Sequence, residues 1–90
     1  MPNILLITGG SRGIGAATAR LAAQRRYTVC FTYLHNQAAA EAVVASITMS
    51  GGQAFAIAAD VGVEREVIRL FEHLDARAGP VTALVNNAGA

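Results

Sequence analysis

The residues with the clearest chemical potential are Thr8-Gly9-Gly10-Ser11-Arg12-Gly13-Ile14-Gly15, which follow a short apolar run. Glycines at these positions suit a phosphate-binding turn. Gly9 lets the chain turn tightly, Gly13 lets backbone approach a pyrophosphate, and Gly15 lets a following helix pack closely on a strand. The first turn of such a helix offers unpaired N–H groups and a partial positive charge to an anion. Glycines also make ordinary turns, so the pattern gains meaning only from a strand before it and an amphipathic helix after it. Both are expected here. The spacing departs from the common dinucleotide fingerprint, because three residues separate Gly9 from Gly13 instead of one.

The elements that must position this turn can be read from periodicity. Ile4–Ile7 is a continuous apolar run of the kind a strand buried on both faces presents. Residues 14–25 carry Ile14, Ala17, Thr18, Leu21 and Ala22 at helical spacing. Thr28–Tyr33, rich in β-branched and aromatic residues, reads as a second strand. Asn36 is a suitable N-cap for a helix over residues 37–49 with Ala40, Val43, Val44 and Ile47 inward, ended by Gly51-Gly52. A third strand, Gln53–Ala59, precedes a helix over Glu64–Arg77. That helix carries Val63, Val67, Leu70, Phe71 and Leu74 on one face. After Gly79-Pro80 comes a fourth strand, Val81–Val85.

This β-α-β-α-β-α-β order predicts an α/β fold, a Rossmann-like, doubly wound parallel sheet with strand order 3-2-1-4. Parallel neighbours need crossover connections, and right-handed crossovers put helices on both faces. No linker, repeat or low-complexity segment divides the chain, so residues 1–90 read as one unit.

Three motifs in order carry a family resemblance: Thr8-Gly9-x-x-x-Gly13-Ile14-Gly15, Asp60-Val61, and Asn86-Asn87-Ala88-Gly89. Each follows an expected strand, and together they resemble the short-chain dehydrogenase/reductase family, specifically its N-terminal cofactor-binding portion. The resemblance implies that Gly9, Ser11, Arg12, Gly13, Ile14 and Gly15 surround the cofactor phosphates. It implies that Asp60 accepts a hydrogen bond from the adenine amino group with Val61 against the ring. Asn87, Ala88 and Gly89 would line the cofactor, while Asn86 ties adjacent strands. A carboxylate is a sound acceptor for an exocyclic amine; the alternative is that Asp60 caps its own loop.

The ribose end falls at Tyr33-Leu34-His35-Asn36. NAD-type sites place an acid about 20 residues beyond the glycine turn, to accept from the ribose hydroxyls. Tyr33 stands there, and no carboxylate follows until Glu41. Without that acid, a 2′-phosphate meets no repulsion. Arg12 resembles the basic residue of NADP-preferring members, and a guanidinium matches a phosphate in charge and geometry; otherwise it is a solvated loop charge. The expected cofactor is therefore NADP(H) in preference to NAD(H), with His35 and Asn36 as further hydrogen-bond partners or plain loop residues.

Two departures from the family stand out. Arg26 occupies a position where the family usually has Gly, in a helix C-cap that calls for positive φ. The family's proton transfer also uses a Tyr and a Lys four residues later, with a Ser and an Asn. A lysine charge lowers a tyrosine pKa so that it can exchange a proton with a carbonyl or hydroxyl oxygen. This chain contains seven Arg and no Lys, and Tyr27 and Tyr33 flank the second strand. No residue is assigned a catalytic role. The expectation is a truncated chain, inactive alone, whose complete form transfers hydride between nicotinamide and an alcohol or carbonyl. The alternatives are a stand-alone nucleotide-binding half-domain or an inactive fragment that self-associates.

Composition limits the other classes. The chain is 53% hydrophobic and 14% charged, with mean hydropathy +0.41, which is apolar for 90 residues. A small domain has proportionally more surface to keep wet, so some of that apolar surface is expected to meet other protein: a further copy of the chain, or the missing C-terminal part of the fold. No run approaches the ~18 apolar residues of a membrane span, and no basic leader opens the chain. A single cysteine, Cys30 between Val29 and Phe31, excludes an internal disulfide and reads as a buried strand thiol. These features fit a cytoplasmic protein. The scattered arginines form no nucleic-acid stripe. His73 reads as a surface residue, and Glu64, Glu66, Glu72 and Asp75 as a solvated face shared with Arg65 and Arg69.

Overall fold

The computed structural model describes residues 3–9, 13–77, 79 and 81–86. Strands and helices alternate: β1 (Asn3–Thr8), α1 (Gly13–Gln24), β2 (Tyr27–Tyr33), α2 (Gln37–Met49), β3 (Gln53–Ala58), α3 (Glu64–Arg77) and β4 (Ala83–Asn86). The strands form one parallel sheet in the order β3-β2-β1-β4, the Rossmann-like arrangement expected from the alternation. β4 starts at Ala83, two residues later than its apolar pattern suggests. Thr82, just before it, is already tied to β1: its N–H donates to the Ile4 carbonyl (2.9 Å), and its hydroxyl accepts from the Ile4 N–H (3.0 Å) and donates to the Ile4 carbonyl (3.1 Å).

The central strands are covered on both sides, and their period of two sorts the core into two layers. Leu5, Ile7, Val29 and Phe31 pack under α1 and α2 with Ala19, Ala40, Val43 and Ile47. Leu6 and Cys30 face the other way, against Leu70 and Leu74 of α3. Removing each large side chain from water stabilises the fold by about 1.5–3 kcal/mol. Cys30 is fully buried, as its strand neighbours suggested.

Helix α1 departs from the expected inner stripe. Its buried residues are Gly15, Ala16, Ala19 and Ala22, whereas Ile14 is 79% and Leu21 51% exposed. Alanine surrounds this helix on every side, so hydropathy alone could not orient it. Packing decides the matter: only Gly and Ala let the helix axis settle close over Ile7 and Phe31. The larger aliphatics are left outside.

The other helices follow their patterns. The Asn36 side chain accepts from the Ala39 N–H at 3.0 Å, capping α2. Ala40, Val43 and Ile47 face inward with Val44 partly packed, and Gly51 leaves the helix at φ 89°. Helix α3 buries Leu70 and Leu74; Val63 and Val67 are half-buried, and Phe71 remains 38% exposed. Between α1 and β2, Arg26 adopts φ 72°, the left-handed conformation for which the family uses Gly. Its N–H donates to the Ala23 carbonyl at 3.1 Å, so the cap geometry is kept despite the side chain.

Candidate functional site

The carboxyl ends of all four strands open into one cleft of about 670 Å³. In this strand order β1 has β2 on one side and β4 on the other, so the order of strand addition reverses beside β1 while all strands stay parallel. A crevice forms at such a switch point because successive connections leave toward opposite faces of the sheet. Gly9 of the first loop, Tyr33 and Leu34 after β2, and Asp60 and Val61 after β3 line the cleft. Phe71 from α3 and Leu84 from β4 add apolar surface.

The first loop leaves β1 through Gly9 at φ 76°, a conformation that costs glycine nothing. The Gly9 N–H donates to Thr32 Oγ1 at 3.0 Å, so a buried side chain of β2 holds the start of the turn. Thr32 is a residue that pattern reading missed. Its only signal was a hydroxyl beside the apolar Val29-Cys30-Phe31 run, which Thr28 shares. Thr8 Oγ1 donates to Asn86 Oδ1 at 3.0 Å, tying β1 to β4 across the switch point. Gly13 enters α1 at φ 62°, and a Cβ built on it meets no atom of the described residues within 4 Å. That open side is where backbone can approach a ligand.

Asp60 is held by its own backbone and side chain. Its carbonyl accepts from the Val63 N–H at 3.0 Å, and its Oδ1 accepts from the Gly62 N–H at 2.9 Å. The Asp60 N–H donates to Glu66 Oε1 at 2.8 Å. Both readings of Asp60 therefore meet in one residue: Oδ1 shapes the loop while the carboxylate lines the cleft. Oδ2 makes no hydrogen bond among the described residues. Glu66 does not belong to the solvated face on which its spacing placed it; it is half-buried and turned back toward β3.

The sequence candidates divide into three groups. Gly9, Tyr33, Leu34, Asp60 and Val61 converge on the cleft. Gly13, Ile14 and Gly15 form the first turn of α1, with Ile14 exposed and Gly15 buried. His35 and Asn36 stand outside the cleft lining. His35 is exposed and its carbonyl accepts from the Gln37 N–H, while the Asn36 side chain is occupied as the α2 cap. Ser11, Arg12, Asn87, Ala88 and Gly89 lie outside the described residues. His73 is exposed on α3, as its position suggested.

The family follows from comparison with known proteins. The sequence profile of the short chain dehydrogenase family matches residues 3–90, and the chain belongs to that family. It is 51% identical over 86 residues to the uncharacterized oxidoreductase YgfF of Escherichia coli, covering 96% of this chain and 35% of that protein. It is 42% identical to the short-chain dehydrogenase/reductase homolog YusS of Bacillus subtilis, covering 94% of this chain and 78% of that protein. Among solved structures, a Serratia marcescens short-chain dehydrogenase/reductase superposes with a TM-score of 0.93 at 36% identity, over 98% of this chain and 36% of that one. A metagenomic short-chain oxidoreductase in complex with NADP gives 0.91 at 33% identity, over 98% and 39%. The chain thus spans about a third of the length of YgfF and of the Synechocystis 3-oxoacyl-[acyl-carrier-protein] reductase that it also matches. Members of the family bind a nicotinamide dinucleotide. Among the described residues no helix is long and apolar enough to cross a membrane, and no group of three potential metal ligands occurs.

Proposed function

We propose that this chain binds the adenosine end of NADP(H) in preference to NAD(H), as the cofactor-binding portion of a short-chain dehydrogenase/reductase. The observation that carries the reading is the end of β2. Tyr33 and Leu34 face the cleft there, and Asp60, at the end of β3, is the one acid among the described lining residues. An acid at the end of β2 would accept from an unphosphorylated ribose and repel a 2′-phosphate. Its absence removes both effects, and Arg12 in the glycine turn supplies a guanidinium suited to the phosphate.

The donor set fits the rest of the group. A carboxylate between Val61 and apolar walls suits an aromatic base that carries an exocyclic amine. Gly9 turns the chain off β1, and Gly13, with no described atom within 4 Å of its Cβ position, leaves room for a pyrophosphate at the start of α1. When bound, the cofactor supplies hydride exchange with an alcohol or carbonyl in the full-length form. This chain's own residues bind and orient. Tyr27 lies at the amino end of β2, away from the cleft, and the sequence contains no lysine to partner Tyr33. We assign catalysis to residues outside this chain. In the same reading, the outer edge of β4, beside Leu84 at 57% exposure, accepts a further strand from the remainder of the fold or from a second copy.

Calorimetric titration of the chain with NADPH, NADH and 2′-phospho-AMP tests the assignment. The expected result is saturable binding at least about tenfold tighter for the 2′-phosphorylated ligands, with the preference narrowed by Arg12→Ala. Equal affinity for NADH and NADPH would remove the NADP assignment, and no binding by the folded chain would remove the binding function.

A further inference from the structure

The contacts around Asp60 make Glu66 more than a helix surface residue. Glu66 is the third residue of α3, the position from which a glutamate usually reaches back to the N-cap N–H. The N-cap position is Val63, and its N–H is already taken by the Asp60 carbonyl at 3.0 Å. The Glu66 carboxylate instead reaches past it to the Asp60 N–H, at 2.8 Å. It does not line the cleft. It borders a separate small depression beside β3 with Ile57, Ala58, Arg69, Leu70 and His73. Glu66 is therefore placed behind the loop, where it can act on a ligand only through Asp60.

We infer that Glu66 is a positioning residue for base recognition: it fixes the Asp60 backbone so that the Asp60 carboxylate meets the exocyclic amine of an adenine. The inference rests on the cofactor reading above. The geometry explains why such a clamp is needed. Asp60 lies just past the last ladder residue of β3, Ala58, so no strand bond holds its N–H. The Ala59 N–H is tied to the Tyr33 carbonyl of β2 and the Asp60 carbonyl to the Val63 N–H at the start of α3, but none of these bonds, nor the Gly62 N–H bond, holds the Asp60 N–H itself. The Glu66 bond links the Asp60 N–H to the rigid body of α3. A charge-assisted bond of this length is among the stronger ones available.

The test compares adenosine 2′,5′-bisphosphate with its purine analogue lacking the 6-amino group, by calorimetry, on the full chain and its Glu66→Ala and Glu66→Gln variants. Glu66→Ala should weaken the adenine ligand by roughly tenfold, about the effect of one hydrogen bond. It should leave the deaminated analogue within about twofold. Glu66→Gln keeps an oxygen acceptor and should restore most of the difference. Amide hydrogen exchange gives a second readout: Asp60 should lose protection in Glu66→Ala and regain it in Glu66→Gln. Equal weakening of both ligands, or an unchanged Asp60 amide in Glu66→Ala, overturns the positioning role while leaving the cofactor reading standing. Absence of binding to the parent chain overturns both.

Discussion

Arg26 offers a direct test of how the backbone of this chain is held. It sits at φ 72°, exposed, between α1 and β2, and its side chain makes no hydrogen bond or ion pair among the described residues. The left-handed conformation costs a residue with a Cβ about 1–2 kcal/mol. Glycine escapes that cost but has a more flexible unfolded state, worth about 0.4–1 kcal/mol against folding. Arg26→Gly should therefore stabilise the chain by about 0.5–1 kcal/mol. For a domain this small that raises Tm by about 2–8 °C. Arg26→Ala removes the charge but keeps the Cβ, so its stability should stay within about 0.5 kcal/mol of the parent. Thermal melts followed by circular dichroism, with urea titrations for the free energies, distinguish the two. A Gly variant no more stable than the parent, or an Ala variant as stable as the Gly one, would refute the strain argument.

Two further outcomes are expected. The Cys30 thiol is pushed up to about 12 by burial, with the Arg77 charge opposing the shift, whereas an unfolded thiol titrates near 9.0. The folded chain thus keeps a proton that the unfolded chain releases. Stability should be insensitive to this group below pH 9 and fall as pH rises from about 9 toward about 12, by up to about 1.4 kcal/mol per pH unit. Urea titrations at several pH values, with Cys30→Ala flattening the slope, check this, and the native thiol should resist a disulfide reagent until the chain unfolds. At the β4 edge, gel filtration across a range of concentrations should show self-association, and Leu84→Lys should reduce it; a monomer at every concentration would argue against the edge as a contact surface.

Much of the fold was legible because its signals are local. Asn36, Gly51 and the Val43/Ile47 spacing marked α2 by capping and periodicity, and the structure uses them as expected. The parallel order followed from alternation, since a strand joined to its parallel neighbour needs a crossover. The site was legible in outline for the same reason. Gly9, Tyr33 and Asp60 each stand at or just past the carboxyl end of a strand, and in a parallel sheet all strand ends of one kind point the same way.

What only the tertiary structure decided depends on distance between elements. The face of α1 was open to hydropathy because alanine lies on every side; the close approach to Ile7 and Phe31 selected Gly15, Ala16 and Ala19. Thr32 supporting Gly9, and Thr8 bonding Asn86, join residues far apart in sequence, with no periodicity to announce them. Glu66 shows the difference most sharply. By spacing it belongs to a charged outer face, but the exit of β3 leaves the Asp60 N–H beyond the sheet ladder and within reach of the first turn of α3. Local chemistry determines what each residue can bond; the packing of strand against helix determines which bond it makes.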